Sequence, residues 1–132
     1  MENKKLRIAP DFIKELKENE VFVFGSNLAG NHLAGAARQA LKWGAVMGQG
    51  TGLQGQTYAI PTMQGPKETI EPYIKEFIEV AKENKNLNFL VTRIACGIAG
   101  FTDDEIAPYF AEAIDIENIW LPKSFIEVIL NK

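Results

Sequence analysis

Residues that usually carry chemistry are scarce in this chain of 132 residues. The one cysteine, Cys96, can make no internal disulfide, which suits a reducing cytosol. The one histidine, His32, cannot build a Cys/His zinc cage with it, so no metal and no cofactor is expected. A Ser-His-Asp triad would rest on His32 alone. No apolar run approaches the roughly 18–20 residues of a membrane span. Residues 1–6 have no apolar stretch behind their lysines, so no secretory signal is expected and a cytoplasmic location is. Basic charge is not in excess either. A net charge of −3 argues against general nucleic-acid binding. With 46% hydrophobic and 23% charged residues, the composition is that of a globular protein, and residues 1–132 read as a single domain.

The most informative absence is local. No Asp or Glu occurs between Glu20 and Glu68, and none occurs between Glu83 and Asp103. All eleven glycines lie between Gly25 and Gly100, eight of them between Gly25 and Gly55. Glycine-rich, carboxylate-free segments expose backbone N–H groups and do not repel an anion. Tight turns in an ordinary α/β domain would give the same composition.

The elements alternate. Val21, Phe22, Val23 and Phe24 form a short apolar, β-rich run, as in a buried central strand. Leu33, Ala36, Ala37, Ala40 and Leu41 recur at helical spacing up to Gly44. After a glycine-rich loop, residues 57–60 read as a strand closed by Pro61. Ile70, Ile74, Phe77, Ile78 and Ala81 mark an amphipathic helix with Thr69 as its cap. A strand over 88–94 follows, then a helix opened by the capping-box pattern of Thr102 and Glu105. A short strand over 118–121 and a C-terminal helix after Pro122 complete the chain. Pro10, Phe12, Ile13 and Leu16 suggest one more short helix near the start. Helices between apolar strands imply a three-layer α/β/α domain with a mostly parallel, mixed central sheet. In such sheets ligands bind beyond the carboxyl ends of strands. Two loops stand there, over residues 25–32 and 96–101, both in the acid-free segments. Together they point to an anionic ligand, phosphate foremost.

Other motifs do not hold up. Gly50, Gly52 and Gly55 match a G-x-G-x-x-G spacing, but they precede a strand instead of following one. No P-loop motif occurs. Ser26 lacks a G-x-S-x-G context. Cys96 is either an exposed nucleophile after a strand or a small buried residue. His32 is either a general base or a hydrogen bonder at a helix start. Asp103 and Asp104 are either functional acids or ordinary first-turn acids of a helix.

Three segments, in order, resemble the macro-domain superfamily, whose members are ADP-ribose-binding α/β domains, and more narrowly a small bacterial and phage-type branch of it. They are residues 21–37, with Asn27 and the glycine-rich loop; residues 48–61; and residues 92–101. The resemblance implies a macro-domain-like fold and a binding site for ADP-ribose or a related nucleotide diphosphate. Asn27 would then bond the distal ribose. Gly25, Ser26, Gly30, Asn31 and His32 would lie beside that ribose and the diphosphate. Cys96, Gly97, Ile98, Ala99, Gly100 and Phe101 would form the diphosphate loop, with Phe101 flanking it or packing beneath it. Many members use an aspartate near the domain start to read the adenine amino group. The nearest such residue here is Asp11, in the segment read as a helix. Where hydrolase branches keep carboxylates, this chain has Ala34 and Ala99. Hydrolysis of an ADP-ribosylated protein, nucleic acid or metabolite would therefore fall to Asn27, His32, Asp103 or Asp104. A protein-interaction module without a working pocket is the third alternative.

Overall fold

A computed structural model describes residues 6–131. The expectation about a secretory signal concerns residues 1–5, which lie outside the described residues, and Leu6. The strands are β1 (Ile8–Ala9), β2 (Glu20–Ser26), β3 (Gly52–Gln54), β4 (Thr57–Pro61), β5 (Asn88–Val91) and β6 (Ile119–Pro122). They make one sheet in the order β1-β6-β5-β2-β4-β3. Every pairing is parallel except β3 with β4. The α-helices are α1 (Gly35–Ala40), α2 (Glu71–Glu83), α3 (Asp103–Ile106) and α4 (Lys123–Leu130). The α/β class and the mostly parallel mixed sheet agree with the sequence reading. No helix among the described residues is long and apolar enough to cross a membrane.

β2 lies between β5 and β4, and alternation of its side chains serves two cores. Val21 and Val23 pack with Ile74, Phe77 and Ile78 of α2 and with Phe110 and Phe125. Phe22 and Phe24 pack with Ala37 and Ala40 of α1 and with Ile13. A strand apolar on both faces has no solvent-tolerant side, so it takes the centre of the sheet. Phe77 is the hub of the larger core. Its ring meets Tyr58, Phe89 and Phe110 at centroid distances of 5.1, 5.6 and 6.4 Å. Burying each large side chain contributes about 1.5–3 kcal/mol. Asn118 is buried where α2 ends. Its amide donates to the carbonyls of Ala81, Asn84 and Leu87 and so holds the helix terminus against β6.

Four local expectations are corrected. Residues 10–19 form no helix. Ile13 is drawn into the core, and its carbonyl accepts from Gln39 Nε2 of α1. A helix this short does not recover its nucleation cost. The glycine-rich loop contains β3, an edge strand that glycine's low β propensity hides from a pattern reading. Thr69 does not cap α2. It belongs to a 3-10 turn, and its hydroxyl donates to Pro66 O at 2.6 Å. β5 stops at Val91, three residues short of Ile94; the N–H and the hydroxyl of Thr92 both donate to Val23 O, and beyond them the chain turns away into the loop.

Phe77→Ala should lower unfolding free energy by about 3–5 kcal/mol, the range for emptying an aromatic site in a packed core. Urea denaturation read by circular dichroism checks this.

Candidate functional site

The carboxyl ends of β2, β4 and β5 open onto a cleft of about 650 Å³. The size lies within the range of small-ligand sites. Gly25, Ser26, Thr62 and Thr92 make its floor, and both loops singled out from the sequence reach its walls. From the first come Asn27 and Asn31; from the second come Gly97, Ile98 and Ala99. Ala34, Gly35 and Ala36 at the start of α1 extend the first wall. The walls approach one another across the cleft. A Cβ placed on Gly35 would lie 3.8 Å from Ile98 Cδ1.

The first loop is held from behind by residues 48–50. Gly30 has φ +71°, and a Cβ there would lie 2.3 Å from Gln49 N. Gly50 is pressed as hard, since its Cβ would lie 2.2 Å from Asn27 O. Ser26 Oγ donates to Gly50 O at 2.6 Å. Asn27 closes the loop on itself: its Oδ1 accepts from Asn31 N and its Nδ2 donates to Asn31 O. One amide hydrogen and one oxygen lone pair of Asn27 stay available to a ligand.

Several predicted residues serve the scaffold and do not line the cleft. Gly30 is one, for the packing just given. His32 is fully buried, edge-on to Phe24, with Nε2 donating to Gln49 O at 3.0 Å. It cannot act as a base on a ligand in the cleft, so the helix-start hydrogen-bonder reading is the nearer one. Cys96 and Phe101 pack against the larger core, and Gly100 (φ +83°) turns the chain back. Burial, with Asp103 nearby, pushes the Cys96 thiol up to about 11, so it is not a nucleophile at neutral pH. Asp103 and Asp104 line a separate groove with Ser124 and Glu127. Arg93, with help from Ser124, holds the Asp103 carboxyl below its ordinary range.

In the second loop, no hydrogen bond among the described residues takes up the N–H groups of Gly97, Ile98 and Ala99. Three consecutive unpaired amides on residues that line a cleft are donors an anion could use. Asp11 is placed by the strap of residues 10–14, which joins the cleft once the expected helix is gone. With it come Lys14 and Phe12, the latter 83% exposed. Phe12 and Lys14 were missed by sequence reasoning. The available signal was a lone aromatic beside Pro10 and Asp11, outside any firm periodicity. Asp11 is the one carboxylate among the residues lining this cleft.

Compared with known proteins, the chain matches no family model, no curated protein and no solved structure.

Two outcomes check this geometry. Gly50→Ala should cost about 1–3 kcal/mol of stability by forcing a Cβ into backbone. Gly97→Ala, whose Cβ meets nothing within 4 Å, should stay within about 0.5 kcal/mol. Urea unfolding of both variants measures the contrast. With burial pushing the Cys96 thiol up to about 11, its thiolate fraction at neutral pH is low. Alkylation by iodoacetamide at pH 7.5 should therefore run roughly three hundredfold slower than for a free peptide thiol. It should rise about tenfold per pH unit up to pH ~10.

Proposed function

We propose that this chain is a macro-domain-like α/β/α module that binds ADP-ribose or a related nucleotide diphosphate in the cleft. The observation that carries the reading is the run of free N–H groups at Gly97, Ile98 and Ala99 on the cleft wall. A diphosphate needs donors that approach closely and no carboxylate against it. The start of α1 on the other wall has no acid in its first turn. Lys14 adds positive charge to the lining, and Arg93, also on it, is already paired with Asp103.

The remaining parts of the ligand find partners of suitable chemistry. Asp11 accepts a hydrogen bond from an exocyclic amino group, and Phe12 beside it offers a flat apolar face to the base. Asn27 retains a donor and an acceptor for ribose hydroxyls. Binding is favoured over hydrolysis, because Ala34 and Ala99 carry no group able to move a proton. Residence in the cytoplasm and recognition of an ADP-ribosylated macromolecule belong to the same reading.

Calorimetric titration with ADP-ribose, ADP and AMP tests it. ADP-ribose should bind. Gly97→Val should fold as wild type and weaken ADP-ribose and ADP at least tenfold, by blocking the approach of phosphate to the backbone. Asp11→Ala should weaken ADP-ribose and AMP alike, by about two- to tenfold for one lost hydrogen bond. Undetectable ADP-ribose binding overturns the reading. Unchanged affinity in folded Gly97→Val moves the site elsewhere. Robust turnover of an ADP-ribosylated protein would put the hydrolase in its place.

A further inference from the structure

The second cleft loop is joined at its neck by one ion pair. Arg93 stands just before the loop and Asp103 just after it. Arg93 Nε donates to Asp103 Oδ1 at 3.1 Å, and Nη2 donates to Oδ2 at 2.9 Å. Two more groups converge on Oδ1. Ser124 Oγ of α4 donates at 3.1 Å, and the Cys96 thiol, from inside the loop, at 3.8 Å. A planar guanidinium matched to both carboxylate oxygens fixes orientation as well as distance. Below the pair, Phe101 N donates to Ala95 O at 2.9 Å, and the Thr102–Glu105 capping box fixes where α3 begins.

The loop needs such a closure. Gly97 and Gly100 loosen its backbone. Ala95 sits at φ +65°, a conformation that a non-glycine residue adopts only under constraint. A bare carboxylate at this neck would also repel an anion held by the loop. Its pairing with Arg93 cancels that charge.

We propose that Asp103 is a positioning residue: clasped by Arg93 and braced by Ser124, it holds the Gly97, Ile98 and Ala99 amides in their ligand-ready arrangement. It does so from outside the cleft, which it does not line. The inference rests on the reading of that loop as the diphosphate site. It replaces the acid–base role considered for Asp103 with a geometric one.

Amide hydrogen exchange and ligand titration on three single variants test it. Asp103→Asn removes the charge and keeps the size. Asp104→Asn removes the same charge from the same helix turn without touching Arg93, and so controls for helix electrostatics. Ser124→Ala removes the brace alone. In Asp103→Asn, exchange of residues 96–101 should quicken about two- to fivefold, the scale of one well-oriented exposed ion pair. Exchange in β2 and β5 should stay at wild-type rates. Asp104→Asn should leave the loop unchanged, and Ser124→Ala should give a smaller change than Asp103→Asn. ADP-ribose affinity should fall by the same factor in Asp103→Asn, and 1 M salt should shrink the difference from wild type. Equal loop exchange in Asp103→Asn and wild type overturns the clasp. So does an equal effect of Asp104→Asn. If the wild type fails to bind ADP-ribose, the diphosphate reading falls while the exchange data still decide the clasp.

Discussion

Backbone lying directly on backbone is the constraint from which the rest of the cleft follows. Residues 27–30 rest against 48–50 so closely that a methyl group on Gly30 or Gly50 would overlap main-chain atoms. Gly48 N donates to Gly30 O across the contact, and Ser26 seals it beneath. This contact ties the loop after β2 to the loop before β3. His32 is then enclosed at its edge and Asn27 is turned toward the open side. Glycines that look from composition like ligand contacts are divided by this packing: Gly30 and Gly50 build the wall, and Gly97 faces open space.

Charge is arranged with similar economy. The long acid-free segments place their backbone around the cleft, and the nearest carboxylates are handled individually. Asp103 is turned outward and neutralised by Arg93, and Asp104 faces the separate groove. Asp11 is the exception and lies on the strap beside Phe12, within the reach of Arg93's field. A nucleotide carries phosphate at one place and hydrogen-bond donors on its base at another. A cleft with free amides on one wall and a single carboxylate on a separate segment matches that distribution, and this supports the proposed reading.

Much of the fold was legible because hydrophobic period and burial coincide. β2, β4, α2 and α4 announce themselves through apolar runs or helical spacing, and Thr102 with Glu105 through a capping pattern that the structure keeps. What failed was short or locally ambiguous. Ile13 and Leu16 sit at helical spacing and both reach the core, yet the segment is held extended, with Ile13 O bonded to Gln39. β3 has three residues and a glycine, too little for a pattern to register. At the site, the position of both loops could be read, because strand ends and glycine content are local properties. The division of labour among their residues could not.

By itself, then, the sequence determined the α/β class, the central place of β2, the two loops beyond the strand ends and the exclusion of acids from them. These follow from hydrophobicity, backbone freedom and charge, which each residue carries wherever it goes. Only the tertiary structure decided that Asp11 and Phe12 join the cleft, that His32 is buried, and that Asp103 grips Arg93 from outside. Those outcomes depend on contacts between segments distant in the chain — residues 10–14 against α1, the first loop against residues 48–50, and the neck of the second loop against α4. Local preference does not specify such contacts; packing does.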